Sequence, residues 1–228
     1  METREQAPQF FQKCWTLGHQ WLSQKFQPKF MQNTAPAYTF RGPQPDQTPN
    51  PWTTLTERTA YENSWIRVSH RDVLNPAGGP GIYGVVQFKN TAIGILPLDD
   101  EGYTWLVGQY RYTLGRYSWE IPEGGGPLGT SDLASAQREL LEETGITAHR
   151  WTPLLEMHLS NSVTDEYGLV YLAQDLSFGE SQPEDTEQLH IRRVPFSEAF
   201  RMVMQGEITD ALSMAAILKL RFLMLNEE

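Results

Sequence analysis

From Trp52 onward, apolar residues come in short runs rich in Val, Ile and aromatics, separated by turn residues. That is the pattern of strands rather than helices. Residues 62–68 (ENSWIRV) alternate in part, and 81–88 (GIYGVVQF) form a second run after a Pro/Gly group at 75–80. Residues 92–98 (AIGILPL) and 103–110 (YTWLVGQY) follow. Lys89 and Asn90 before this pair, and Asp99 to Gly102 inside it, are hairpin-type turn material. The pattern then switches period. A glycine-rich stretch at 124–129 reads as a tight loop, and it runs into 132–144, where Leu133, Ala136, Leu140 and Leu141 recur at helical spacing. Thr130 or Ser131 supplies an N-cap, and Gly145 a C-cap glycine. Strands are expected at 153–158, 169–174 and 189–194. Two helices close the chain, 198–205 started by Ser197 and 210–225 started by Thr209. Leu212, Ala215, Ala216, Leu220 and Leu223 give the last one a buried stripe.

The first 50 residues behave differently. They are rich in Gln and Pro, and 42–51 (GPQPDQTPNP) is linker composition. Phe10, Phe11, Trp15, Trp21, Leu22 and Phe26 are too many large apolar groups for a purely solvated tail. A short helix packed on the domain or on a partner subunit, a solvated segment and a peptide ligand for another protein all stay open. The chain divides into an extension and linker, 1–51, and a domain, 52–228. A mostly β body with a central helix and a helical end is an α+β sandwich.

Composition narrows the function. The 228 residues carry 28 acidic and 18 basic side chains, a formal charge of -10. Arg4, Lys13, Lys25, Lys29 and Arg41 against Glu2, Glu5 and Asp46 give +2 over residues 1–50, so the remainder carries -12. A protein that grips nucleic-acid backbone needs a basic surface, so nucleic acid is not an expected partner. Cys14 is the single cysteine, which excludes an intrachain disulfide or a cysteine zinc cluster. No signal-peptide pattern opens the sequence and no apolar run approaches a membrane span, so a cytoplasmic protein without membrane partners is expected.

Part of the acidity is concentrated on the central helix. Glu139 lies one turn from both Glu142 and Glu143. Like charges so spaced oppose one another, and the last turn of a helix is the unfavourable end for carboxylates. Arg138 can offset Glu142 through an i,i+4 contact. A solvated acidic face is one explanation. A hard divalent cation, Mg2+ above all, completed by water and substrate phosphate, is the other.

Gly124, Arg138, Glu139, Leu140, Glu142, Glu143, Gly145 and Ile146 match the signature box of the Nudix hydrolases in register. One position departs, for Thr130 stands where the box has a Glu. The resemblance extends over roughly residues 52–228 and implies a Nudix-type α/β/α sandwich with a mixed sheet behind an N-terminal appendage. It implies that Glu139 and Glu143 are principal metal ligands, Glu142 a further ligand or base, and the backbone carbonyl of Glu123 another ligand, with Arg138 orienting the glutamates. Mg2+ is the implied cofactor, and Mn2+ a substitute.

Gln109-Tyr110-Arg111, then Trp119-Glu120-Ile121-Pro122 and the glycines, resemble the ADP-ribose pyrophosphatase (ADP-sugar diphosphatase) branch. Arg111 would hold substrate phosphate or ribose, and Glu120 would support substrate or loop. Glu166, ending the segment 160–166 (SNSVTDE), stands where that branch has a substrate loop ending in Glu. In the acidic run 180–187, Glu187 matches the last metal ligand or base, with Glu184 and Asp185 as rivals. Trp65, Tyr83, Tyr110 and Tyr112 are candidates to flank a base. The implied reaction is hydrolysis of ADP-ribose to AMP and ribose 5-phosphate by a homodimer whose partner is a nucleoside diphosphate sugar. Hydrolysis of another sugar nucleotide such as ADP-glucose, and a non-catalytic nucleotide- or protein-binding scaffold, are the alternatives.

Overall fold

The computed structural model describes residues 48–180 and 188–225. Three strands come first: β1 (Thr53–Glu62), β2 (Ile66–Leu74) and β3 (Pro80–Phe88), joined antiparallel in the order β1-β2-β3. The body follows with β4 (Asn90–Pro97), β5 (Tyr103–Arg111), β6 (Arg116–Glu120), β7 (Glu123–Pro127), α1 (Asp132–Thr144), β8 (Ile146–His158), β9 (Tyr167–Phe178), β10 (His190–Pro195), α2 (Phe196–Met204) and α3 (Ala211–Leu225).

At the centre lies a mixed sheet, β7-β4-β9-β8, in which β4 and β9 run parallel and the other pairs antiparallel. Its two middle strands are apolar on both faces, and the alternation sorts them cleanly. Ile93, Ile95, Leu169, Tyr171 and Ala173 pack with Ala136 and Leu140 of α1. Leu96, Val170 and Leu172 pack on the other side with Phe196 and Met202 of α2 and with Leu212, Ala216 and Leu220 of α3. A helix layer on each face of a mixed sheet is the expected α/β/α sandwich. A second sheet, β10-β5-β6, contributes Trp105 to the first core and Leu106 to the second.

The central helix has the bounds its periodicity implies. Ser131, not Thr130, caps it by accepting a hydrogen bond from the Ala134 amide. Gly145 closes it at φ 71°, with its amide on Leu141 O. Elsewhere the structure corrects the sequence reading. The glycine stretch after Glu123 is a strand, β7, paired with β4 from Asn90↔Pro127 to Gly94↔Glu123. Interior backbone must find partners, and glycines allow α1 to lie close over this strand. At Gly126, an added Cβ would sit 3.1 Å from both Ile93 and Ser135. The segment 62–68 is not one strand: Glu62 ends β1, residues 63–65 turn with Asn63 Oδ1 accepting from the Trp65 and Ile66 amides, and 66–68 open β2. Neither Lys89-Asn90 nor the Asp99–Gly102 turn joins a hairpin, since the strands on either side belong to different sheets. β8 starts at Ile146, earlier than expected, and passes through Pro153 by a register shift.

The closing helices also shift. α2 begins at Phe196 with Pro195 as its cap residue, not Ser197. α3 begins at Ala211, and Asp210 Oδ2 takes the Ser213 amide at 2.7 Å, while Thr209 instead accepts from Arg116. Ser213, Ile217 and Met224 share the buried face of α3, whereas Ala215 and Leu223 are only partly buried. Among the described residues, no helix is long and apolar enough to cross a membrane.

Candidate active site

Acidic groups meet where α1, β6, β7 and the start of α3 converge. On the helix side, Glu139 and Glu143 are buried at the α1–β7 interface. Glu143 Oε2 accepts from the backbone amide of Glu123 at 3.0 Å, so the box helix is tied directly to the strand ahead of it. Glu139 lies against Gly124 so closely that a Cβ there would overlap its carboxylate. Arg138 makes the i,i+4 contact its spacing implies, 2.6 Å to Glu142 Oε2. It also reaches Glu139 Oε1 at 2.5 Å and donates to Gly125 O at 3.0 Å, spanning helix and strand. One guanidinium thus relieves two of the three like charges and ties the helix to the strand beneath it.

On the strand side, Glu120 is only 3% exposed and Glu123 lies mostly buried. Arg111, the last residue of β5, forks onto them: its Nε is 2.9 Å from Glu120 Oε2, and its Nη2 is 2.5 Å from Glu120 Oε2 and from Glu123 Oε1. The expected phosphate-holding arginine is therefore engaged with carboxylates. Burial pulls its pKa down, but the Glu120 hydrogen bond and the charges of Glu123, Glu120 and Asp210 outweigh this and hold it above the ordinary arginine value. Burial pushes the Glu123 carboxyl well above its usual range, and the Asp210, Glu120 and Glu143 carboxylates add to that against Arg111.

Asp210 is the residue that sequence reasoning missed. One oxygen from each of Glu120, Glu123 and Asp210 lies within 4.8 Å of the others. An Asp just before an apolar helix reads as a cap, which it is, and nothing in its spacing links it to residues 120–143. The nearest signal was the helix boundary itself, placed one residue too early. These donors fit a hard divalent cation. All are carboxylates, and Glu123 Oε2 is buried with no hydrogen-bond partner among the described residues.

The remaining expected residues fall in two groups. Glu166 ends a loop that docks on β3 through Val86 N→Val163 O, Asp165 N→Val86 O and the Tyr83 hydroxyl on Ser162 O. Burial and the Asp210 carboxylate raise its pKa, which sets it on the Asp210 side of the cluster. Glu187, Glu184 and Asp185 lie outside the described residues. Of the aromatic candidates, Trp65 stands exposed at the β1–β2 turn, Tyr110 and Tyr112 are exposed at the end of β5, and Tyr83 packs edge-on to Trp52. Among the described residues, none of the four hydrogen-bonds to or stacks against these carboxylates. Thr130 needs no carboxylate to hold its turn, because its hydroxyl donates to Pro127 O at 2.6 Å.

Comparison with known proteins accords with this geometry. A NUDIX domain model matches residues 88–215, and a "Nucleoside diphosphate sugar hydrolase N-terminal domain" model matches 52–86. An ADP-ribose pyrophosphatase of Mycobacterium tuberculosis (strain ATCC 25618 / H37Rv) is 31% identical over 169 residues, 72% of this chain and 81% of that protein. An ADP-ribose pyrophosphatase of Bacillus subtilis (strain 168) is 31% identical over 176 residues, 76% of this chain and 93% of that protein. In fold, the chain resembles a crystal structure described as an ADP compounds hydrolase, with TM-score 0.68 and 23% identity over 80% of this chain and 98% of that one. The chain belongs to the Nudix-domain family and is a Nudix-fold hydrolase related to ADP-ribose pyrophosphatase-like enzymes.

Proposed function

We propose that this chain hydrolyses the diphosphate bond of a nucleoside diphosphate joined to another moiety, with ADP-ribose yielding AMP and ribose 5-phosphate as the leading case. The observation that carries the reading is a chain alignable over 81% and 93% of two ADP-ribose pyrophosphatases, with its box glutamates tied to the strand that bears Glu123. A broader sugar-nucleotide substrate is the second reading, favoured by the match of residues 52–86 to a nucleoside diphosphate sugar hydrolase segment. In this view residues 52–228 form the hydrolase unit and 1–51 an extension with a linker.

Glu139, Glu143 and the Glu123 carbonyl are the proposed holders of Mg2+, or of Mn2+ in its place, with Glu142 a further ligand or base and Glu187 a last ligand or base. The ion would neutralise diphosphate oxygens and lower the pKa of a water. The chain supplies the rest. Arg138 fixes the carboxylates relative to β7. Glu120 supports Arg111, which is suited by its planar fork to a phosphate. Glu166 ends the loop docked on β3 and is the proposed substrate contact there, its carboxyl pKa raised by burial and by the Asp210 carboxylate.

A homodimer is part of the proposal. Every residue of β1 is exposed, and Leu55, Tyr61, Trp65 and Ile82 stand out of the β1-β2-β3 sheet. Such surface is supported by a second copy more readily than by water.

The test is a substrate panel with Mg2+: ADP-ribose, ADP-glucose, dinucleoside polyphosphates and nucleoside triphosphates, with products identified by chromatography. Release of AMP from ADP-ribose with the highest kcat/KM supports the reading. Cleavage of none of them overturns it, and a thermal shift with ADP-ribose but no cleavage would leave the binding scaffold.

A further inference from the structure

The site contains two arginines set in different surroundings. Arg138 lies over the half-exposed face of α1, with its side chain 40% exposed. Arg111 reaches into the strand-side carboxylates, where its Nη2 stands 2.5 Å from both Glu120 and Glu123. The oxygens of Glu120, Glu123 and Asp210 are close enough for one hard cation to touch all three. The guanidinium already takes two of them, and the other oxygen of Glu123 stays buried without a hydrogen-bond partner.

Two cations cannot share those oxygens. In a partly desolvated setting, a dipositive ion against a guanidinium is repelled more strongly than water would permit the pair to ignore. Three carboxylates and one guanidinium leave the cluster formally negative, so exchange of Arg111 for a divalent ion neutralises it better. Arg111 ends β5, is followed by a short 3-10 turn, Tyr112–Leu114, and keeps its side chain 33% exposed, so solvent reaches the guanidinium stem.

We propose that Arg111 is the resident counter-ion of the Glu120–Glu123–Asp210 cluster, and that a divalent cation entering there displaces it and frees its guanidinium for an anionic ligand. The final clause rests on the hydrolase reading, whereas the displacement does not. Asp210 acts here as the third carboxylate and caps α3, whose first turn is tied to the β6–β7 connection by the Ile121 amide donating to Ser213 Oγ. Cation and substrate anion are thereby linked through one side chain: the first to bind delivers the contact for the second.

The experiment is Mn2+ binding to the full chain, followed by calorimetry and electron paramagnetic resonance without nucleotide. Arg111→Gln removes the competitor and is expected to bind Mn2+ about ten-fold tighter, and Asp210→Asn about ten-fold weaker. Thermal unfolding verifies that each variant is folded. Mn2+ binding to folded Arg111→Gln that is no tighter than wild type overturns the proposal. Where Arg111→Gln unfolds, the wild-type protein decides through the Arg111 Nε–Hε resonance, assigned with Arg111→Lys and followed through a Mg2+ titration. It is expected to move to the shift and exchange rate of a solvated arginine as the ion saturates. An unchanged resonance at saturating Mg2+ overturns the displacement. Exchange without cleavage of any substrate in the panel would sink the hydrolase reading alone, and cleavage of ADP-ribose without exchange would sink this inference alone.

Discussion

The first sheet of the chain and the central sheet hold their strands in opposite conditions. β4 and β9 are covered on both faces, by α1 on one side and by α2 and α3 on the other. β1 is exposed at every position, and β2 buries only Ser69 and Val73. One sheet is thus stabilised by its own chain, while the other is held by its ladder and by the loop that docks on β3. The difference teaches that the proposed catalytic groups are concentrated where both faces are closed. Glu120, Glu139 and Glu143 are held by interior packing, and the open sheet contributes no carboxylate to the cluster.

That contrast can be broken at graded cost. The largest effect is expected at Glu143, where Glu143→Gln lowers kcat by about a thousand-fold while leaving sedimentation unchanged. An unchanged rate would mean that the chemistry is not in the closed region. Next, Leu96→Ala removes a fully buried side chain and costs about 3 kcal/mol in chemical denaturation, whereas Leu55→Ala on the open sheet costs under about 0.5 kcal/mol in the separated chain. Equal losses would erase the distinction between the sheets. Ile82→Asp then places a charge on the exposed face of β3 and is expected to weaken self-association by about ten-fold or more, seen as a fall to one-chain mass in sedimentation.

A smaller effect follows from pH. Burial and Asp210 raise the folded pKa of Glu166 above its ordinary 4.5. Its contribution is complete below that value and is lost as pH rises through the folded pKa. Glu166→Gln should therefore raise Tm at pH 7 by roughly one or two degrees and leave it unchanged at pH 4. The smallest effect is Thr130→Glu, expected to change stability by less than about 0.5 kcal/mol because Thr130 is exposed and its turn is already closed by its own hydroxyl. A larger gain would show that the missing box carboxylate had left the loop underheld.

How much of this was legible in the sequence depends on where the information lies. The helix 132–144 could be read to the residue because apolar spacing, a hydroxyl N-cap at Thr130 or Ser131 and a C-cap glycine all point the same way. β1 could not, since TTLTERTAYE has no buried face and therefore no alternation to read. The glycine strand β7 looked like a loop because its pairing is set by β4, 29 to 37 residues upstream, and not by its own side chains. For the site, the contact from Arg138 to Glu142 followed from helical geometry alone. The engagement of Arg111 with Glu120 and Glu123 did not, because it depends on β5 and β6 pairing side by side. Asp210 was hidden by a local role that fully accounts for an aspartate at a helix start.

The leading glycine of the box carries a last consequence. A methyl at position 124 and the carboxylate of Glu139 would claim the same volume, so the two positions share one allotment of space. Its absence of a side chain is a matter of room rather than of backbone freedom, and φ at Gly124 is not among the positive values in this chain. Any chain that keeps this helix-to-strand distance and enlarges position 124 must therefore surrender the glutamate's place. The glycine is, in effect, the part of Glu139's side chain that is written elsewhere in the sequence.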